Sequence, residues 1–291
     1  MRITSEVMVT RSLDRLQTRL QQYERTQSEL ATGRRILKPS DDPSGSRRAS
    51  SLTGAMQGAE QHLRNIDDAN GWISSADSQL QSGLTRLHRA REIATRGSSD
   101  TTPAERSALA TEVEQIREEL EGIANTQYRG RPLFGGFTDG NAVQPDGGAW
   151  ATNGDGDQIM RRVSDSETVR VNVTAGEWLG EGDDNALAQL DELAAALRAG
   201  EPITGRITGL EAASDRVADS LAVLGASANR ISSAEMRAQD LLQTMRTELS
   251  GVQDVDLAQG IMELQIQQVA YEATLSALGK SLPPNLGAFL R

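Results

Sequence analysis

Few side chains of this chain can do chemistry. Of its 291 residues, two are histidines, His62 and His88, and none is a cysteine. Neither histidine has a second ligand at metal-binding spacing, so both read as ordinary helix-surface residues. Without cysteine there are no disulfides, thiol nucleophiles or thiolate metal sites. The stretch "NGDGDQ", residues 153–158, has the alternating Asp and Gly of an opening calcium loop. Such a loop needs a glutamate at its twelfth position, which here is Ser164, so the stretch reads as a turn. No glycine-rich phosphate cradle is present. The residues give an enzyme little to build from: the reading assigns no catalytic residue, no metal and no cofactor.

Composition points to packed helices instead. Aromatics make up only 3% of the chain, whereas Ala, Leu, Arg, Glu and Gln abound, which favours long helices side by side over a thick core. The net charge of −11 argues against nucleic acid as a partner. The opening "MRITSEVMVTRSLDRL" has no apolar core or small-residue cleavage site, so no cleaved secretory signal is expected. No stretch approaches the roughly 18 apolar residues of a membrane span, so no membrane partner is expected either.

The elements follow from periodicity. Val9, Leu13, Leu16, Leu20, Tyr23, Gln27 and Leu30 alternate spacings of four and three, the a/d rhythm of a coiled coil. Gly33 suits a left-handed C-cap. "ILKPSDDPSG" then breaks the pattern: Pro39 and Pro43 lack donors, and Asp42 reads as the N-cap of a helix starting at Pro43. That second helix keeps the 3,4 rhythm from Ala49 to Ala94 and should end near "RGSSDTTP". Its seam is broken by Asn70, Asp77 and Arg91, which either fix register or face water; Trp72 reads as packing. Thr102 or a neighbour caps the next helix, with Pro103 near its start.

The middle of the chain differs. Residues 138–206 hold 13 acidic and 5 basic residues. Val169, Val171 and Val173 alternate as in a strand, and "DDNALAQLDELAAALRAG" reads as a short helix capped by Asp184 with Leu187, Leu190, Leu193 and Leu197 on one side. A heptad seam returns from Leu210 to Val252, is interrupted by Gly251 and "DVD", and resumes at Leu257, Ile261, Leu264, Gln268, Tyr271, Leu275, Leu278 and Leu282 until Pro283 and Pro284. The expected fold is mainly α: a long antiparallel helical bundle or coiled coil built by N- and C-terminal arms, with a small α+β, β-rich insert. The expected division is a terminal assembly coiled coil (1–40 with 255–291), a helical rod (41–137 with 207–254) and an outer insert (138–206).

Three stretches carry a resemblance. "MRIT" with "LATGRRILKPSDDPSGSRRASSL", "NTQYRGRPLFGGF", and "VQDVDLAQGIMELQIQQVAYEATLSALGK" ending in "LGAFLR" are together similar to the flagellin superfamily, and within it to its hook-associated proteins. The arms that match cover about 220 residues. "PSDDP" and "MRIT" favour the hook-associated branch over flagellins. The resemblance implies a non-catalytic structural adaptor of the bacterial flagellum, exported unfolded by the type III pathway to the extracellular hook–filament junction. The implied partners are further copies of itself in a ring or helical array, hook-associated protein 1, flagellin and a cytoplasmic export chaperone. A minor flagellin and a cytoplasmic coiled-coil scaffold are the rival readings.

The seams give candidate contact residues. Burying six apolar side chains does not offset the entropy of ordering some 30 residues, so the terminal segments should order fully only against neighbouring subunits. The assembly interface is expected at Val9, Leu13, Leu16, Leu20, Tyr23, Leu30, Leu257, Ile261, Leu264, Tyr271, Leu275 and Leu278. Pro39, Asp41, Asp42 and Pro43 form the boundary loop between the assembling end and the body.

Overall fold

The computed structural model describes residues 2–99, 101–147, 149–154 and 156–281; for 2–6, 8, 9, 12 and 278–281 it describes backbone alone. Among the described residues there are seven α-helices: α1 (Arg2–Thr32), α2 (Pro43–Gly97), α3 (Pro103–Ala124), α4 (Ala175–Leu179), α5 (Ala186–Ala199), α6 (Thr204–Gln253) and α7 (Leu257–Ser281). Six short strands form three separate antiparallel hairpins: β1 (Gln127–Tyr128) with β2 (Arg131–Pro132), β3 (Val143–Asp146) with β4 (Ala149–Thr152), and β5 (Met160–Arg162) with β6 (Thr168–Arg170). The fold is mainly α with a small strand-containing region, as the periodicity predicts. Its packing divides into two compact units, residues 58–241 and a terminal unit of 1–57 with 242–291.

In the inner unit α2 and α6 run antiparallel. Asn70 Nδ2 reaches Glu235 Oε2 at 3.5 Å, and Arg91 pairs with Glu211 at 3.5 Å. Two of the polar seam residues therefore face charged or polar partners across the helix pair, which supports their register role. Asp77 instead accepts from Gln81 one turn along its own helix. α3 and α5 also run antiparallel, tied by Arg198 to Glu114 and by Arg117 to Asp191. Thr102 caps α3 with a full capping box: its hydroxyl accepts the Glu105 N–H, and the Glu105 carboxylate accepts the Thr102 N–H.

The residues of 138–206 build no separate core. Val169, Val171, Trp178, Leu187, Leu190 and Leu193 belong to one apolar cluster with Ile66, Leu80 and Leu87 of α2, Leu120 of α3 and Leu210 of α6. Trp178 lies 5.4 Å, centroid to centroid, from Phe134, and its ring packs beside Gly83 of α2. Buried amides replace missing ladder bonds. Asn172 accepts the Ile159 N–H and donates to the Asp157 carbonyl, both at 2.8 Å. Asn125, just past α3, exchanges two bonds with the backbone of Val143. The β1–β2 hairpin turns on Arg129 and Gly130, both at positive φ, as in a type I′ two-residue turn.

Several sequence expectations change here. α5 is capped by Asn185, whose Oδ1 accepts the Leu187 N–H, while Asp184 sits in a preceding 3-10 turn. α6 runs through Gly251, so "DVD" alone makes the break. The strand at Val169 ends at Arg170, although Val171 and Val173 are buried as predicted. His62 is no surface residue: the β5–β6 hairpin covers it, with Asp165 Oδ1 3.1 Å from its Nε2. His88 is exposed. Trp72 is buried, edge-on to Tyr128. In "NGDGDQ", Asp157 accepts the Phe137 N–H, and Asp155 lies outside the described residues.

Candidate assembly surface

The surface lies in the terminal unit and begins with the loop that separates its helices. α1 ends at Gly33, whose φ of 71° is the left-handed C-cap conformation. Two adjacent acids then organise the loop. Asp41 Oδ2 accepts the N–H groups of Leu37 and Lys38 at 3.2 and 2.8 Å. Asp42 Oδ1 accepts the Gly45 N–H and the Ser44 hydroxyl, each at 2.8 Å, and so caps α2 with Pro43 in its first position. The Gly45 bond, the Ser44 hydroxyl and nearby Arg35 hold the Asp42 carboxyl below its usual range. The loop pairs with the other helix break: Arg35 N–H donates to the Gln253 carbonyl, Val255 N–H donates to Gly33, and Arg34 bridges Asp254 in antiparallel sense.

That bridge sets α1 and α7 side by side and antiparallel. Leu30 lies against Gly260, where any side chain would collide with it. Along α1 the covered side is Leu16, Tyr23, Thr26 and Leu30; along α7 it is Gly260, Leu264, Gln267, Tyr271 and Thr274. This contact stripe is offset from the predicted seam. Thr26 is buried in place of Gln27, and the α7 stripe runs one residue earlier than the spacing from Leu257 and Ile261 suggests.

The predicted contact residues therefore split. Leu16, Tyr23, Leu30, Leu264 and Tyr271 are half-buried between the two helices. Leu13, Leu20, Leu257, Ile261 and Leu275 face outward. The side chains of Val9 and Leu278 lie outside the described residues, as do Leu282 and the two prolines. Pattern reading missed Val7, Met262, Ile266 and Val269, all exposed, with Ile266 at 69% and Val269 at 66%. The signal for them was available: α7 is apolar on nearly every side, so one 3,4 seam cannot account for it. A helix apolar all round needs partners on more than one face. What this arrangement can do is adhere. Among the described residues no cluster of His, Asp and Glu could hold a metal ion, and no helix is long and apolar enough to cross a membrane.

Comparison with known proteins agrees with the helical frame. Residues 3–139 match the family model for the bacterial flagellin N-terminal helical region. The flagellar hook-associated protein 3 of Salmonella typhimurium is 24% identical over 303 residues, spanning 94% of this chain and 95% of that one. A flagellin of Bacillus subtilis is 23% identical over 312 residues and spans all of both chains. The crystal structure of flagellar hook-associated protein-3 from Legionella pneumophila shares the fold, with a TM-score of 0.64 at 15% identity over 70% of this chain and 98% of that one. Matching residues and fold agree: residues 3–139 carry the bacterial flagellin N-terminal helical region, and the chain along nearly its whole length is similar to proteins named flagellar hook-associated protein 3 and flagellin.

Proposed function

We propose that this chain is the structural adaptor of the hook–filament junction, a layer set on hook-associated protein 1 and followed by flagellin. The observation that carries this reading is the end-to-end similarity to proteins named flagellar hook-associated protein 3. The expected route is the flagellar type III pathway with a cytoplasmic chaperone, and the place of work is the extracellular appendage. The terminal segments 1–40 and 255–291 act as the assembly coiled coil, with Leu13, Leu20, Leu257, Ile261 and Leu275 as outward contacts and Leu16, Tyr23, Leu30, Leu264 and Tyr271 holding the pair together. The body of the chain carries the load between two unlike neighbours, and no catalytic step is assigned.

A second reading, a minor flagellin within the filament, is favoured by the full-length similarity to the Bacillus subtilis protein. Deletion of the gene separates them. The adaptor reading expects hooks without filaments and flagellin released into the medium. Filaments of normal length on the deletion strain would refute it.

A further inference from the structure

Beside the boundary loop lies an open cleft of about 530 Å³, wholly within the terminal unit. Ile36, Leu37, Lys38 and Pro39 form one wall, and Ala49, Ser50, Thr53 and Gly54 of α2 form the other. Gly54 is unexplained by its own chain. Glycine weakens a helix interior, and a side chain there would meet nothing within 4 Å. Its missing Cβ leaves room for something to approach the α2 backbone closely. The one charged side chain in its lining is the cation Lys38; nearby Arg35 and Arg48 are already paired with Asp42 and Glu248.

The same chain carries a surface complementary to this cleft. The outward side of α7 presents Ile261, Met262, Ile266 and Val269, each more than half exposed. Between Leu257 and Gly279 the helix holds Glu263 and Glu272 and no cation. Its opposite side is already covered by α1. We propose that the cleft between residues 36–39 and 49–54 receives the outward face of α7 from a second copy of this chain, with Lys38 opposite Glu263. The proposal rests on the adaptor reading and deepens it. Ridge and cleft are different surfaces, so the contact is heterologous and propagates from copy to copy instead of closing a dimer.

The absence of cysteine allows a direct test. Appendages sheared from cells producing only the Ser50→Cys/Ile266→Cys chain are oxidised and run on a non-reducing gel. A ladder of dimers, trimers and higher species is expected, while either single variant alone yields monomers and co-production of both singles yields dimers only. Lys38→Glu in the double-cysteine chain should slow cross-linking about two- to fivefold, and adding Glu263→Lys should restore it. Dimers from Ile266→Cys alone would mean that ridge packs on ridge, and an internally linked monomer would mean that the chain fills its own cleft; either overturns the proposal. A chain present in the appendage without cross-links overturns the cleft but leaves the adaptor reading standing. Absence of the unsubstituted chain from the appendage overturns both.

Discussion

In the inner unit, Ile66, Leu80, Leu87, Leu120 and Trp178 are fully or almost fully buried, whereas Leu257, Ile261, Ile266 and Val269 of the terminal unit each keep more than half of their surface. Both regions use the same 3,4 spacing. They differ in how many elements are at hand. Around the inner seam, α2 meets α3, α6 and the segment that carries α4 and α5, so the seam is closed, although Phe137, Met160, Val223, Met236 and Leu241 of this unit stay exposed. In α1 and α7 each helix has the other along one stripe, and a two-helix pair covers one stripe per helix. The lesson is that heptad spacing specifies a demand for partners without saying who supplies them. In the inner unit the chain meets most of that demand itself; in the terminal unit more of it remains, and the proposed assembly surface rests on that remainder.

Truncating one large side chain in each unit should give opposite results. Trp178→Ala opens a cavity beside Phe134 and Gly83 and should destabilise the monomer by about 3–5 kcal/mol, seen as a lowered thermal midpoint. Ile266→Ala should leave monomer stability within about 0.5 kcal/mol, yet sharply reduce recovery of the chain in sheared appendages. Equal destabilisation by both would erase the distinction between the units. Amide exchange on the purified monomer sharpens it further. The α2 and α6 amides of the inner unit should exchange only on global opening, while α1 and α7 exchange orders of magnitude faster. Strong protection across residues 5–32 in the unassembled chain would defeat the idea that neighbours complete the fold.

Smaller effects probe polar ties in both units. Asn172→Ala leaves the Ile159 N–H and the Asp157 carbonyl without partners and should cost about 2 kcal/mol in urea unfolding. Glu177 gives a pH signature. Burial raises its pKa, but the Arg170 guanidinium and the Thr174 N–H outweigh that and set it below the ordinary 4.5. A carboxyl lowered on folding contributes stability above its unfolded pKa and loses it as pH falls through the folded value. The wild-type chain should therefore lose a component of stability below about pH 4.5 that Glu177→Gln lacks. Smallest of all, Arg25→Ala removes an exposed one-turn pair with Glu29 and should shift stability by less than about 0.5 kcal/mol.

Local rules made much of this legible in the sequence. Gly33 at a left-handed C-cap, Asp42 and Pro43 at a helix start, and the Thr102 box depend on a few neighbouring residues and backbone geometry, so residue type alone specifies them. Paired helices at the two chain ends were also readable, because two apolar seams at opposite ends can meet. The cap of α5 failed by one position because Asp184 and Asn185 are both competent caps; Asn185 is the buried one, held through Gly180 at the turn before it. His62 failed because the hairpin covering it lies about a hundred residues away.

What the sequence determined by itself is the set of long helices, the breaks between them, and the excess of apolar surface near the ends. Those follow from spacing, prolines, caps and composition, all local in the chain. What only the tertiary structure decided is which side of each terminal helix is used up. Thr26 in place of Gln27, and Gly260 with Leu264 in place of Leu257 with Ile261, depend on the rotation of α1 against α7. That rotation is set by the bridge between Gly33–Arg35 and Gln253–Val255, about 220 residues apart, which no periodicity encodes. A stripe of seven-residue repeats on a helix apolar all round can pack in several registers with similar burial. The tertiary contact selects one, and in doing so fixes which leucines, isoleucines and valines stay exposed.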